Sequence, residues 1–229
     1  MQNEQSNEIF VKAVVGSKST WDASAVALMI AKDICPIEKV AFIDSVGHGP
    51  KLSSYQKLKG FTTIVPQSEG EFASPKEWVE SLRIAIEIGS SLVVMNTVSD
   101  EWQWCLSEIE RLGGNARSYK LITPKHDRFV RAITKTKVHI IMVARRKEKI
   151  DLKSAQGSKT EVTSLGIRSI QRPGFEEEMD IIIGLGADLK PTIEQDNSRC
   201  FQRGQTPTLA EVGVKLKNWI DKSGIDGKR

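Results

Sequence analysis

Cysteine is scarce: three residues in 229, Cys35, Cys105 and Cys200, stand far apart and none forms a CxxC pair. That spacing excludes a disulfide framework and gives no zinc-site signature, so buried or incidental thiols are expected and no metal is assigned. Aromatic residues make up 6% of the chain. No apolar run approaches the roughly 20 residues of a membrane span, and no membrane partner is expected. The opening "MQNEQSNE" lacks a basic n-region and an apolar h-region. No secretory signal is visible, and a cytoplasmic protein is expected. Repeats, low-complexity segments and long linkers are missing as well. One elaborated domain over residues 1–229 is therefore expected, with unordered ends at 1–7 and 224–229.

Acidic residues are thin in one region. From Arg111 to Lys153 there are 13 Lys/Arg and 3 Asp/Glu, a local charge of +10, whereas the other 20 basic and 26 acidic residues give −6. The asymmetry predicts a polyanionic partner on one side of the molecule.

What is present alternates strands with helices. The run Phe10 to Val15 reads as a buried strand, Gly16 breaks it, and Ala23 to Ala31 reads as an apolar helix with a polar start. Strands follow in "EKVAFIDS" (38–45), "FTTIV" (61–65), "SLVVMN" (91–96) and "KVHIIMVA" (137–144). Ser74-Pro75-Lys76-Glu77 opens an amphipathic helix as a capping box. A Trp-rich helix runs to Gly113-Gly114, and Thr123-Pro124 is expected to start the next one, ending near Thr136. Around "AQGSK" the pattern predicts a β-hairpin excursion. "DIIIGLG" and "PTIEQD" read as paired edge strands, and Thr208 to Glu211 caps a last helix burying Val212, Leu216, Trp219 and Ile220. The fold expected is a doubly wound, mainly parallel α/β sheet.

The strand-loop-helix at 10–34 has P-loop outlines with the wrong residues. A working GxxxxGK[ST] loop wraps phosphates in backbone N–H groups and sets a lysine on the β/γ-phosphates. Aligning the helix starts puts Trp21-Asp22 where Gly-Lys would stand. A carboxylate in the first helical turn repels phosphate. The preferred reading is a capping box in which Ser19 caps the helix and Asp22 reaches back to the N–H of Ser19. The alternative is a shortened phosphate cradle around Lys18, with Ser19 and Thr20.

Taken together, "AFIDS", "SLVVMNTVSDEW", "ITPKHDRFVRAI", "VHIIMVARRK" and "GIRSIQRPGFEEEMDIIIGL", in that order, resemble the phage-type RecA-like P-loop ATPases associated with recombination and single-strand annealing. The resemblance spans nearly the whole chain and implies a RecA-like core, oligomeric assembly and a nucleotide site. Three of the family's chemical positions differ. Trp21 to Ala23 replace Gly-Lys-Thr, Val46 stands where a glutamate would polarise water, and Met95-Asn96 ends the strand that would carry a magnesium-linked aspartate. A valine cannot accept a proton, and a neutral amide suits Mg²⁺ poorly.

The resemblance implies a vestigial nucleotide site at Gly16, Ser17, Lys18, Ser19, Thr20, Asp44 and Asn96. No catalytic residue is assigned, His48, His126 and His139 included, and no cofactor is expected; ATP and magnesium belong to the alternative of an active NTPase. Lys125, Arg128, Arg131 and Lys135 recur at spacings that share one helix face. With Arg145, Arg146, Lys147 and Lys149 in "RRKEK", they form the expected nucleic-acid surface, which the resemblance extends over residues 145–168. Single-stranded nucleic acid or an acidic protein is the expected partner. Aromatic residues are nearly absent from that hairpin, which counts against base stacking.

Overall fold

The computed structural model describes the backbone over 8–54, 58–154 and 160–226, with side chains except at 148–154, 160–166 and 224–226. The segments 1–7, 55–57, 155–159 and 227–229 lie outside the described residues, including the expected unordered N-terminus and the hairpin tip.

The five parallel core strands have alternate residues on opposite faces. In β1 (Lys12–Ser17), Ala13 and Val15 join one core and Val14 the other. The same split occurs at Val40 and Phe42 against Ala41 and Ile43 in β2 (Val40–Asp44), and at Leu92 and Val94 against Val93 and Met95 in β4 (Leu92–Asn96). It continues through β5 (His139–Ser154) and β7 (Ile181–Leu185). Such a sheet needs cover on both sides, hence the continuous apolar runs.

One layer is α1 (Thr20–Ile34) and α6 (Leu209–Asp226). They approach so closely that a Cβ at Gly213 would lie 2.5 Å from the Asp33 Cβ. The other layer is α3 (Pro75–Glu87) with Trp78 and Leu82, α4 (Ser99–Arg111), and α5 (Ala116–Lys135) with Phe129 and Ile133. A one-turn α2 (Gly49–Leu52) follows β2, and β3 (Thr62–Ile64) is a short outer strand.

Among the described residues the sheet has eight strands in the order β3-β2-β4-β5-β1-β7-β8, with β6 (Thr160–Ser169) pairing β5 and β8 being Pro191–Asp196. Contacts among β1, β2, β3, β4, β5 and β7 are parallel; β5/β6 and β7/β8 are antiparallel. This is the mainly parallel α/β sheet expected from the sequence, including the hairpin and the paired edge strands. Strand β5 serves twice, pairing β1 through Arg145 and β6 from Arg146 outward.

The capping boxes at Ser74 and Thr208 form as expected: Glu77 and Glu211 each accept from the cap's N–H. Three local expectations change. Helix α5 starts at Ala116, because Asn115 caps Arg117 and Ser118 through its side chain; Pro124 lies inside the helix. Asp22 does not reach back to Ser19. The Ser19 hydroxyl accepts from Asp22 N at 3.3 Å, but the Ser19 N–H donates to the Ser17 hydroxyl at 3.1 Å. Residues 224–226 continue α6, where an unordered end was expected.

Candidate functional site

In an open parallel sheet ligands bind beyond the carboxyl ends of the strands. Here β1, β2 and β4 end at Ser17, Asp44 and Asn96, with Asp44 and Asn96 in register. Both side chains are buried and bond to each other, Asn96 Nδ2 donating to Asp44 Oδ1 at 3.2 Å. The other Asp44 oxygen accepts from Gly49 N at 2.7 Å, which draws the chain after β2 across the site. Gly49 has to be small, since a Cβ there would meet Thr63 Oγ1 at 2.8 Å.

From α1, the buried Ser24 hydroxyl has its single proton shared between Thr20 O at 2.5 Å and Asn96 Oδ1 at 2.8 Å, and lies 3.4 Å from His48 Nδ1. Trp21 packs edge-on against His48 with ring centroids 5.2 Å apart. Burial pushes the His48 pKa below 6.5, against the opposing pull of the Asp44 carboxylate and with some help from Lys51. The result is a group of four side chains, Ser24, Asn96, Asp44 and His48, in which the carboxylate of Asp44 is held by Asn96 and the Gly49 N–H. Ser24 and His48 were not expected in it; a hydroxyl inside the apolar run Ala23 to Ala31 was the one signal available.

The rest of the loop faces elsewhere. Ser17 is buried and Lys18 exposed, while Thr20 O accepts from Ser24. Ser17, Lys18, Ser19 and Asp22 line a cleft of about 360 Å³ that reaches Arg146 and the turn after β7.

Arg146 is not on the solvent-facing surface expected for it, and Arg145 is only partly there. Arg146 is 6% exposed and pairs through both terminal nitrogens with Glu194 on β8, also donating to Ile167 O at 2.8 Å. Its side chain crosses the sheet over two glycines; a Cβ at Gly16 would meet its Cδ at 2.3 Å and one at Gly184 its Nη1 at 2.6 Å. Arg145 is half-buried and pairs with Asp100, which also accepts from Ser45 at 2.7 Å. Burial raises the Asp100 pKa despite these donors. Lys147 is exposed, and the Lys149 side chain lies outside the described residues.

Lys125, Arg128, Arg131 and Lys135 are all exposed on α5. The fold adds what the local sequence lacks: Trp104 comes from α4 to lie under Lys125, whose Nζ is 5.2 Å from its ring. Trp104, Lys125 and Arg128 with Lys76 line a groove of about 510 Å³ at the N-terminus of α3. Beneath it, Glu101 and Cys105 of α4 meet His126 of α5, all three buried.

A family model described as AAA domain matches residues 37–209. The chain belongs to the AAA domain family. Its class is therefore that of the P-loop, NTPase-like nucleotide-binding domains. The match begins after α1, so it takes in Asp44, Asn96, the α5 cations and Glu194, and leaves the loop at 16–20 outside. No curated protein matches this AAA domain. No helix among its described residues is long and apolar enough to cross a membrane.

Proposed function

We propose that this AAA domain is a catalytically degenerate RecA-like protein, of phage or mobile-element origin, that acts by binding single-stranded nucleic acid and by assembling with other subunits. The observation that carries the reading is the self-bonded group at the strand ends. Ser24, Asn96, Asp44 and His48 bond to one another where phosphate and magnesium chemistry would need open donors and acceptors. Mg-ATP does not fit these residues. Asp22 occupies the first turn of α1, Val46 cannot orient water, and Asn96 brings no charge for a hard cation.

The α5 face supports the binding half. Four exposed cations on one helix contact phosphates without reading sequence. Trp104 beside Lys125 supplies a stacking wall, and stacking on such a ring contributes about 1–3 kcal/mol per base. An acidic protein is the other partner this charge suits.

A second reading has one observation in its favour. The cleft holding Ser17, Lys18 and Ser19 is large enough for a small ligand, as in an NTPase completed by a neighbouring subunit. One titration separates the two: Mg-ATP with phosphate release followed, then labelled single-stranded DNA followed by anisotropy. The degenerate reading expects no release above a blank and salt-sensitive DNA binding. Steady release abolished by Lys18→Ala would overturn it.

A further inference from the structure

Outside both regions, three chemically different ligand atoms converge between α4 and α5. Glu101 and Cys105 are one helical turn apart, so they share a face of α4. His126 approaches from α5. Its Nδ1 lies 3.0 Å from Glu101 Oε2 and 3.1 Å from Oε1, and Cys105 Sγ lies 3.4 Å from Oε1. All three ligand atoms fall within 4.8 Å of one another.

We propose that Glu101, Cys105 and His126 form a binding site for one divalent transition-metal ion of the zinc class. A tetrahedral ion with bonds of about 2.0–2.3 Å keeps its donors roughly 3.3–3.7 Å apart. The nitrogen–oxygen and sulfur–oxygen separations, 3.0 and 3.4 Å, lie within tenths of an ångström of that, and the sulfur and the nitrogen lie within 4.8 Å of each other. Imidazole with thiolate suits zinc over magnesium or calcium. Charge fits as well: carboxylate and thiolate balance a 2+ ion, giving a neutral centre among the buried Ile109 and Ile122 and the half-buried Trp102. Binding breaks two bonds to hydrogen: the Cys105 S–H proton leaves to solvent as the sulfur takes the metal, and His126 shifts to the tautomer protonated at Nε2, so that the Nδ1 now facing Glu101 offers its lone pair.

The surroundings match those of a metal site. Gln171 Nε2 donates to Glu101 Oε2 at 3.3 Å and to Val98 O at 2.8 Å, holding the carboxylate from behind. The His126 ring is held edge-on by Trp102, centroids 5.1 Å apart. His126 also borders a cleft of about 350 Å³ with Asp127 and Glu178, a route by which water could supply the fourth ligand. The ion would pin α4 to α5.

The test uses the full chain, freed of metal with a chelator and titrated with Co²⁺, whose thiolate charge-transfer band reports a cysteine ligand. One equivalent should produce the band, and one equivalent of Zn²⁺ should abolish it. The Cys35→Ser/Cys200→Ser variant should keep it, while Cys105→Ser loses it. Gln171→Ala should weaken cobalt binding by about 10- to 100-fold. If Cys105→Ser does not fold, the double variant decides alone, since Cys105 is then the remaining thiol. No band from wild-type protein, either on titration or after refolding with Co²⁺, or a band lost in the double variant, would overturn the site.

Discussion

At the strand ends Asp44, Asn96, Ser24, Arg145 and Arg146 bond to one another or to Asp100 and Glu194, whereas Lys125, Arg128, Arg131 and Lys135 on α5 are exposed. Arg145 and Arg146 belong to the same +10 stretch of sequence as the α5 cations. Charge in a sequence window thus overstates the charge offered to a partner. Two of its cations are already matched inside the fold, one by a carboxylate from α4 and one by a carboxylate from β8.

The comparison breaks most severely at Arg146. Glu194→Ala leaves a buried guanidinium unpaired, and removing one member of a buried pair costs roughly 3–5 kcal/mol. Because the Glu194 side chain is 35% exposed, the lower end, about 3 kcal/mol, is expected from urea unfolding. Arg146→Met with Glu194→Met should recover most of it, since matched apolar replacement is often neutral. A loss under about 0.5 kcal/mol for Glu194→Ala, the range of an ordinary surface change, would mean that Arg146 reaches water after all.

On the exposed side, Arg128→Glu/Arg131→Glu should leave stability nearly unchanged and flatten the salt dependence of single-stranded DNA binding by about one to two log units per log unit. Anisotropy at several salt concentrations reads this directly. Equal slopes for variant and wild type would remove nucleic acid from α5 and favour an acidic protein there.

Smaller effects belong to the start of α1. Ser19→Ala should cost about 1 kcal/mol, the usual loss of an N-cap, while Asp22→Ala, whose carboxylate acts only through the helix dipole, should cost a few tenths. Thermal melts of the two variants side by side would separate cap from charge, and equal losses would restore the reciprocal box. The smallest effect is a pH dependence at His48. Its folded pKa is depressed, so its contribution is present above about 6.5 and is lost as pH falls through the folded value. His48→Gln should flatten stability over that acid limb in urea titrations from pH 7 to pH 5. An unchanged limb would place His48 in water in both states.

The layered sheet was legible because burial on both faces leaves unbroken apolar runs such as "SLVVMN", and the boxes at Ser74 and Thr208 because both halves lie within four residues. The start of α5 was not. Thr123-Pro124 imitates a helix opening, while the true cap, Asn115, follows two glycines of positive φ that end α4. The carboxylates that pair with Arg145 and Arg146 lie 45 and 48 residues away. Trp104 under Lys125, and the meeting of Glu101, Cys105 and His126, likewise need two helices to be packed before they exist.

Strand β5 carries a mechanical consequence. It leaves the middle of the sheet and becomes one arm of the β5/β6 hairpin with no loop between, so the hairpin is a lever clamped at its root between β1 and β4. A load at its far end travels along one covalent chain to Arg145 and Arg146, beside Gly16 and the end of β1. The slipped register between Glu148 and Ile150 is where such a lever bends first. Force on the hairpin would therefore reach the buried ion pair before it reached any helix.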